Sequence, residues 1–420
     1  MINHWLRYIS NIHYKEIDLT LDRISFVANK LNILPLSPFI ITISGTNGKG
    51  TTCRLIELIL LHRGMRVGVY NSPHLIHYKE RIRINGKEVN NLIHIKSFNI
   101  INYVRKLTLL SYFEFTTLSA LYIFSQFKLD VIILEVGLGG RLDATNIVNA
   151  NLAIITNIDL DHTKFLGLTR NDIAKEKSGI FRSNIVAVIG DSNIPVSIYE
   201  TADAIGTILY NYKYDWWLIY NNNYWCWQDH NIKLNNLPIP TSIPIKNAAI
   251  AIAVINKLPF VITRENICYG LINAWLPGRF NIINVNPYII LDVAHNLHAV
   301  KYLVNLLKKL PISGKIHVLI GIFRDKDFAK IINILNPLVD KWYCTNIDHY
   351  RSASYIDLIK YTNMNSLSFS NIKDAWYYMI NSINYNDVAV VLGSFITVSN
   401  IFKIINNKTV FYDNILVSSK

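Results

Sequence analysis

The chain has 420 residues, of which 51% are hydrophobic and 17% are charged, and its formal net charge is +13. This length predicts two or three compact units, and the composition excludes a largely disordered chain. The apolar runs are far shorter than the roughly 20 residues that cross a bilayer, and the first residues lack the apolar stretch of a signal peptide. We therefore expect a cytoplasmic protein with no membrane partner.

The cysteines and the basic residues argue against two further kinds of site. No C-x-x-C pair joins the four cysteines, which are Cys53, Cys226, Cys268 and Cys344, so neither a zinc site nor a disulfide framework is indicated. Lysine and arginine are dispersed, without a basic run interleaved with aromatic residues. We expect no nucleic-acid partner, and we attribute part of the charge to a bias towards residues with AT-rich codons.

Residues 1–285 predict an α/β domain built on a mostly parallel sheet. Apolar runs alternate with helix-length amphipathic segments, which is typical of βα units. Segment 212–236, dense in tyrosine, tryptophan and asparagine, predicts a small antiparallel excursion whose aromatic residues serve packing. The predicted strands are 40–44, 67–70, 131–136, 152–156 and 185–189, and helices are predicted at about 246–257 and 264–275.

A second α/β domain is predicted for residues 286–420. Proline and glycine at 277 and 278 interrupt the chain, and a new βα series follows. Its strands are predicted at 288–293, 316–320, 341–344 and 388–392, with helices starting near 295, 327, 353 and 372. The predicted fold class is therefore two-domain α/β, a P-loop domain with a mostly parallel sheet followed by a Rossmann-like domain.

A glycine loop follows the first predicted strand and opens a helix. Residues 45–52 read GTNGKGTT. Glycines let backbone N–H groups surround phosphate oxygens, and the helix N-terminus adds a favourable dipole. Lys49 supplies a point charge, and Thr51 or Thr52 offers a hydroxyl to Mg²⁺. The spacing is shorter than the generic G-x-x-x-x-G-K-[ST] pattern, so a glycine turn that binds nothing is the alternative.

Other candidate residues are ambiguous when each is considered alone. Glu135 ends a buried strand at a glycine-rich turn, where a carboxylate can hold Mg²⁺, but an ion-paired or helix-capping glutamate fits equally. Adjacent aromatic residues such as Tyr112 and Phe113 favour ordinary core. His162 alone indicates a packed or surface histidine, and Lys177 alone indicates a surface lysine.

The glycine loop and eight further segments resemble the folate-ligase branch of the Mur ligase family. These segments occur in family order and are 71–75, 112–114, 134–146, 160–163, 176–181, 277–280, 292–296 and 393–395. The probability that all of these segments match in this order by chance is negligible. Three residues depart from the pattern, because Thr116 stands in place of glycine, Leu297 in place of proline and Ile396 in place of histidine.

The resemblance implies an ATP-dependent ligase that joins L-glutamate to 7,8-dihydropteroate, and to tetrahydrofolate or its polyglutamates, through an acyl phosphate. Its partners would be these small molecules and ATP, its cofactors two Mg²⁺ ions, and its state a monomer. One alternative is a folylpolyglutamate synthase alone. A peptidoglycan Mur ligase is a weaker alternative, because those enzymes normally carry a separate N-terminal domain for a UDP-sugar, and only about forty residues precede the loop here. The alternative from another class is a nucleotide-dependent switch or a nucleotide-binding module that hydrolyses ATP slowly or not at all.

The resemblance also implies the site residues, with Lys49, Lys177 and His162 as the catalytic ones. A carbamate on Lys177 would supply an anionic oxygen to the second Mg²⁺. A stacking face and polar edge for a pterin would come from two segments. The implied ATP-binding residues are Gly45, Thr46, Asn47, Gly48, Lys49, Gly50, Thr51, Asn247, Arg279 and Asp292. The implied metal ligands are Thr51, Ser72, Glu135, His162 and Lys177, and the pterin-binding residues are Ser111, Tyr112, Phe113, Glu114, Leu142, Asp143 and Ala144.

Overall fold

The computed structural model describes residues 2–13, 15, 18–221, 224–240, 242–363 and 365–406. The chain divides into two compact units, of which the first comprises Met1–His74 and Tyr78–Leu276. The second comprises Leu75–His77 and Pro277–Lys420. Among the described residues, none of the helices has both the length and the apolar character that a membrane span requires.

The first unit is an α/β unit with an attached antiparallel sheet. Its described helices are α1 (Ile2–Ser10), α2 (Asp22–Leu31), α3 (Lys49–His62), α4 (Asn91–Arg105), α5 (Tyr112–Ser125), α6 (Thr163–Leu166), α7 (Arg170–Ser178), α8 (Val196–Ile205), α9 (Ile245–Ile255) and α10 (Arg264–Asn273). Its described strands are β1 (Phe39–Ser44), β2 (Val67–Tyr70), β3 (Ile82–Ile84), β4 (Lys87–Glu88), β5 (Val131–Glu135), β6 (Leu152–Ile155), β7 (Val186–Ile189), β8 (Ile208–Asn211), β9 (Trp216–Asn221), β10 (Tyr224–Asp229) and β11 (Lys233–Leu237).

Eight strands form the main sheet of this unit, in the order β4-β3-β2-β5-β1-β6-β7-β8. The six strands from β2 to β8 in this order pair in parallel, while β3 is antiparallel to β2 and β4. Strand β1 lies near the centre and is buried from Ile40 to Ser44. The glycine loop that follows β1 therefore begins at the carboxyl edge of a parallel sheet, where α/β proteins bind ligands.

Three antiparallel strands form the smaller sheet, in the order β11-β10-β9. Trp216, Trp225 and Trp227 are fully buried and belong to the same hydrophobic core as α3 and α9. Alternation of these residues along β9 and β10 places them on one face of the sheet. The prediction of an antiparallel excursion with packing aromatic residues is confirmed.

Helix α4 carries a histidine in the core of the first unit. His94 is fully buried, with its ring 5.1 Å from that of Tyr78 and 6.0 Å from that of Phe98. Burial and, to a smaller extent, the charge of Lys79 lower the pKa of His94 from the ordinary 6.5 to about 4. The imidazole is therefore neutral in the folded protein at physiological pH.

This burial predicts acid sensitivity of the fold. Between pH 6.5 and about 4 the unfolded chain binds a proton at His94 and the folded chain does not, so stability falls as the pH falls through that window, by up to about 1.4 kcal/mol per pH unit. We expect His94→Phe to reduce the slope of melting temperature against pH between pH 7 and 5. An unchanged slope, equal to that of the exposed-site control His4→Gln, would refute this assignment.

The second unit contains one six-stranded sheet, in the order β12-β13-β17-β14-β15-β16. The first strand pairs antiparallel with β13, and the other pairs are parallel. Its strands are β12 (Asn281–Val285), β13 (Tyr288–Leu291), β14 (Ile316–Ile320), β15 (Lys341–Thr345), β16 (Ser366–Phe369) and β17 (Val388–Leu392). Its described helices are α11 (Leu297–Leu307), α12 (Phe328–Leu335), α13 (Tyr355–Ile359), α14 (Ile372–Ser382) and α15 (Phe395–Asn406). The predicted fold class is confirmed for both units.

Several predicted boundaries need correction in the second unit. The helices predicted from 295 and 353 begin at Leu297 and Tyr355, because Asn296 and Ser354 act as N-caps whose side chains accept backbone N–H groups of the first turn. Strand β13 ends at Leu291 rather than at 293. The chain turns there because the carboxylate of Asp292 accepts hydrogen bonds from the backbone N–H groups of Phe280 and Ala294.

Candidate active site

The glycine loop between β1 and α3 is held by hydrogen bonds to Asn157, in the segment that follows β6, the strand next to β1 in the sheet. Thr46 N donates to the Asn157 carbonyl at 2.9 Å, and Asn47 N donates to Asn157 Oδ1 at 2.8 Å. Gly48 has a φ of 84°, and a Cβ at this position would lie 2.7 Å from Asn247 Nδ2. A side chain is therefore excluded at Gly48 by both the backbone angle and the approach of Asn247.

Lys49 and Thr51 lie at the start of α3. Lys49 Nζ donates to the Gly45 carbonyl at 2.8 Å, so the ammonium group lies over the loop. Thr51 Oγ1 donates to the Gly48 carbonyl at 2.9 Å and accepts from Asn247 Nδ2 at 2.8 Å. The structure thus brings Asn247 of α9 to the same loop, 196 residues away in sequence.

Glu135 lies beside this loop at the carboxyl end of β5. Its side chain is 5% exposed, and a Cβ added to Gly50 would lie 3.7 Å from both carboxylate oxygens. Glu135 Oε2 accepts hydrogen bonds from Asn71 Nδ2 at 2.8 Å and from Ser72 N at 3.1 Å. The implied metal ligands Thr51, Ser72 and Glu135 are therefore grouped at the carboxyl edge of the sheet.

These donors fit a magnesium ion that also binds phosphate. Glu135 contributes a carboxylate, Thr51 and Ser72 contribute hydroxyl groups, and all three are the hard oxygen ligands that Mg²⁺ prefers. No group of three or more His, Cys, Asp or Glu residues suited to a metal occurs in the described part of the chain. A site with few protein ligands is typical of Mg²⁺ in nucleotide enzymes, because phosphates and water complete the coordination.

Lys177 is buried in the last turn of α7, with 4% of its surface exposed. Burial and, to a smaller extent, the nearby charge of Lys49 lower the pKa of its amine to about 7, against the opposing effect of Asp161 and Asp143. At pH 7 about half of the amine is neutral, against about one part in a few thousand for an ordinary lysine. The interpretation of Lys177 as a surface lysine, which its sequence position alone indicates, is therefore wrong.

His162 precedes α6 with a φ of 51°. Its side chain is 36% exposed, and Nε2 lies 3.9 Å from Asp161 Oδ1. Asp161, the neighbour of His162 in the chain, acts to raise the pKa of Lys177.

The turn after Glu135 is built around Asp143. This carboxylate is 2% exposed and accepts from the backbone N–H groups of Gly137 and Leu138 at 3.0 and 2.9 Å. It also accepts from Thr145 N and Oγ1 at 3.0 and 2.7 Å. Burial raises the pKa of Asp143, and these hydrogen bonds oppose the rise. Asp143 therefore holds the shape of the turn that carries Leu142 and Ala144.

Arg182 joins this turn to the end of the Lys177 helix, in a contact that no sequence motif predicts. Its guanidinium donates to Asn149 Oδ1 at 2.6 Å, to Asn146 Oδ1 at 2.9 Å and to the Phe181 carbonyl at 2.9 Å. On the other side of the same contact, Arg141 N donates to the Glu176 carbonyl at 2.7 Å. The turn and the carboxyl end of α7 are thus fixed together.

The loop before α5 contains the other implied pterin residues. Ser111 is the N-cap of α5 and forms a capping box with Glu114, which is 2% exposed. The Phe113 ring lies against Gly137, where an added Cβ would approach it to 2.6 Å. The Arg81 guanidinium lies 5.4 Å from the Tyr112 ring centre. Both segments implied to bind a pterin therefore meet through Phe113 and the Gly137 turn.

Arg23 in α2 also contacts this loop, and no sequence motif indicates a role for it. Its Nη2 donates to Glu114 Oε1 at 3.2 Å, and its Nη1 donates to Asp18 Oδ2 at 2.9 Å. No local pattern could have indicated this pairing, because 91 residues separate Arg23 from Glu114.

Arg279 and Asp292 belong to the second unit. The Arg279 guanidinium lies 5.1 Å from the ring centre of Phe395, and Nη1 donates to the Gly278 carbonyl at 3.2 Å. Burial raises the pKa of Asp292, while the charge of Arg279 acts to lower it. The two side chains therefore interact electrostatically.

The three departures from the family pattern all lie in helices. Thr116 is fully buried in α5, where its Oγ1 contacts Tyr70 Oη at 3.0 Å and donates to the Phe113 carbonyl at 3.1 Å. Leu297 is the first residue of α11 and packs against the core of the second unit. Ile396 lies in the first turn of α15.

Comparison with protein families gives two matches that cover most of the chain. Residues 43–255 match the Mur ligase middle domain, and residues 278–395 match the glutamate ligase domain of Mur ligases. A similar protein is the dihydrofolate synthase/folylpolyglutamate synthase of Escherichia coli (strain K12), which is 43% identical over 96% of this chain and 95% of its own length.

Solved structures are similar over nearly the whole chain. One is E. coli FolC in complex with DHPP and ADP, with a TM-score of 0.94 and 43% identity over 97% of this chain and 98% of that one. Another is a bifunctional folylpolyglutamate synthase/dihydrofolate synthase with Mn, AMPPNP and L-glutamate bound, with a TM-score of 0.92 and 44% identity over 96% and 98%.

The parallel sheet, the glycine loop at its carboxyl edge and these matches define the class of protein. The chain belongs to the Mur ligase family of ATP-dependent ligases. Within that family it matches the dihydrofolate synthase/folylpolyglutamate synthase group over its full length.

Proposed function

We propose that this chain catalyses the ATP-dependent ligation of L-glutamate to 7,8-dihydropteroate, and to tetrahydrofolate or its polyglutamates, in the cytoplasm. The observation that carries the proposal is the grouping of Lys49, Thr51 and Glu135 around one phosphate loop, with the buried amine of Lys177 close enough to be affected by the charge of Lys49. A ligase that activates a carboxylate with ATP requires this concentration of charge around the transferred phosphoryl group.

The reaction has two steps that need no protein nucleophile. First, a carboxylate oxygen of the pteroate or folate attacks the γ-phosphorus of ATP, and ADP leaves. Second, the amine of glutamate attacks the acyl carbon, phosphate leaves with the electrons of the C–O bond, and the nitrogen loses a proton. Lys49 and the N–H groups of the glycine loop neutralise charge on the phosphoryl oxygens.

We assign two magnesium sites to this region. Thr51, Ser72 and Glu135 hold the first ion, and His162 with a carbamate on Lys177 holds the second. When bound, the ions neutralise charge on the phosphates. The neutral fraction of the Lys177 amine supports carbamate formation, because only the neutral amine attacks carbon dioxide.

The acceptor substrate would lie along the two segments that meet at Phe113. Tyr112 and Phe113 offer ring faces, and the turn containing Leu142, Asp143 and Ala144 offers polar backbone groups to a pterin edge. Ser111 and Glu114 form the capping box that holds this loop on α5. Arg23 adds a positioning contact, since its guanidinium holds the Glu114 carboxylate.

We also assign Asn247, Arg279 and Asp292 to the nucleotide. Asp292→Ala is expected to raise the KM for ATP several-fold while changing the KM for glutamate little. Of these two substrates, the carboxylate would contact only the nucleotide. Steady-state kinetics with each substrate varied in turn measures this ratio. A larger effect on the KM for glutamate would remove Asp292 from the nucleotide site.

The function is tested by phosphate release with Mg-ATP and L-glutamate, with dihydropteroate and tetrahydrofolate compared as acceptors. We expect release with both acceptors, and we expect it to depend on glutamate. Release with tetrahydrofolate alone would reduce the function to folylpolyglutamate synthesis. Slow release that is independent of acceptor and glutamate would identify a nucleotide-hydrolysing switch and overturn the proposal.

A further inference from the structure

A chain of polar side chains leads from α3 to the Glu135 carboxylate. Arg54 Nη1 and Arg83 Nη2 donate to Glu57 Oε2 at 2.9 and 2.7 Å. Arg83 Nη2 also donates to Asn71 Oδ1 at 2.8 Å, and Asn71 Nδ2 donates to Glu135 Oε2 at 2.8 Å. We call Glu57, Arg83 and Asn71 the carboxylate relay.

The relay lies in the interior of the first unit. Glu57 is fully buried, and the side chain of Arg83 is 12% exposed. Burial would raise the pKa of Glu57, but Arg83 and Arg54 lower it, so the carboxylate is ionised. Such a buried pair requires good geometry, because an unpaired charge in the interior is costly.

The charges at its two ends determine the orientation of the Asn71 amide. The amide oxygen faces the Arg83 guanidinium, which can only donate, and the amide nitrogen faces the Glu135 carboxylate, which accepts. Rotating the amide by 180° would place donor against donor and acceptor against acceptor. Only one of the two amide orientations is therefore stable.

This orientation distinguishes the two oxygens of Glu135. Oε2 accepts from Asn71 Nδ2 and from Ser72 N. Among the described residues, Oε1 receives no hydrogen bond. Asn71 also separates the Arg83 charge from Glu135, and a guanidinium in direct contact would compete with a cation for the carboxylate.

We propose that Asn71 is a positioning residue that directs Glu135 Oε1 towards the catalytic divalent ion. The inference rests on the proposed function, because it takes Glu135 as a ligand of that ion. Residues that orient a metal ligand from behind commonly contribute 10–100-fold to metal affinity. The relay connects α3 and β3 with the carboxyl ends of β2 and β5.

The test measures Mn²⁺ binding in the presence of AMPPNP, and the electron paramagnetic resonance signal of free Mn²⁺ is its readout. Asn71→Leu removes both hydrogen bonds of the amide at similar volume, and we expect Mn²⁺ to bind about 10–100-fold more weakly. If Asn71→Leu does not fold, Asn71→Ala replaces it, with the same expected loss.

Asn256 provides a matched control. Its Nδ2 donates to the Asp229 carboxylate at 2.7 Å, next to the smaller sheet. We expect Asn256→Leu to bind Mn²⁺ as the unchanged protein does. A folded Asn71 variant with unchanged Mn²⁺ affinity overturns the relay, and so does an equal loss in Asn256→Leu.

Glu135→Gln distinguishes failure of the relay from failure of the site. If Glu135→Gln weakens Mn²⁺ binding while the Asn71 variants do not, the proposed metal site stands and the relay is wrong. If Glu135→Gln also leaves Mn²⁺ binding unchanged, Glu135 is not a ligand, and the assigned metal site and the relay fail together.

Discussion

Lys49→Ala is expected to lower the rate of glutamate ligation by about a thousandfold, because it removes the positive charge nearest the transferred phosphoryl group. The fold should be unaffected. The Lys49 ammonium donates only to carbonyls of its own loop, at 2.8 Å to Gly45 and 3.5 Å to Thr46, and makes no described ion pair. Phosphate release and thermal unfolding, measured on the same preparation, separate the two effects.

The exposed residue Lys87 provides the control for charge. Lys87→Ala changes the net charge equally and should keep its full rate. Near-normal turnover in folded Lys49→Ala would show that the loop does not hold the reacting phosphate.

Lys177→Arg is expected to abolish most of the ligase activity, by about a hundredfold or more, since arginine keeps the positive charge but cannot form a carbamate. Carbon-13 NMR with labelled bicarbonate should show a carbamate resonance in the unchanged protein and lose it in the variant. The resonance should weaken as the pH falls below about 7, because the Lys177 amine becomes protonated through its lowered pKa.

Lys175 in the same helix is exposed and provides the matched control. Lys175→Arg should retain both the carbamate resonance and the activity. Full activity in Lys177→Arg, or a resonance that survives in it, would require the second-magnesium role of this residue to be abandoned.

The elements that sequence predicts best are the central strands of both sheets. Strands β1, β14 and β17 are buried on both faces, so their apolar runs are continuous and bounded by turns. Strand β12 was not predicted, because it is an edge strand with exposed Ile282 and Ile283 and an irregular register. The two-residue strand β4 is too short to carry a period.

In the candidate site, too, the sequence predicts the features that depend on neighbouring residues and not those that depend on contacts between distant segments. The glycine loop and Lys49 can be predicted from the sequence because strand, loop and helix are consecutive in it. Burial of Lys177 depends on packing against a turn some 35 residues earlier, as the pairing of Arg141 with Glu176 shows. The contacts of Asn71 with Glu135 join residues that are 64 positions apart, and no periodic pattern in the sequence predicts them.

The second unit includes three residues, Leu75–His77, that precede its main segment by about two hundred residues. Leu75 is 5% exposed in a core that also contains Leu291 and Val391. During synthesis, Leu75 leaves the ribosome roughly 10 to 40 s before Pro277 at rates of about 5–20 residues per second. The second unit therefore completes its core around the side chain of Leu75, which was synthesised much earlier than the rest of that unit. A fragment starting at Pro277 lacks this side chain and should be less stable than the same unit in the whole protein.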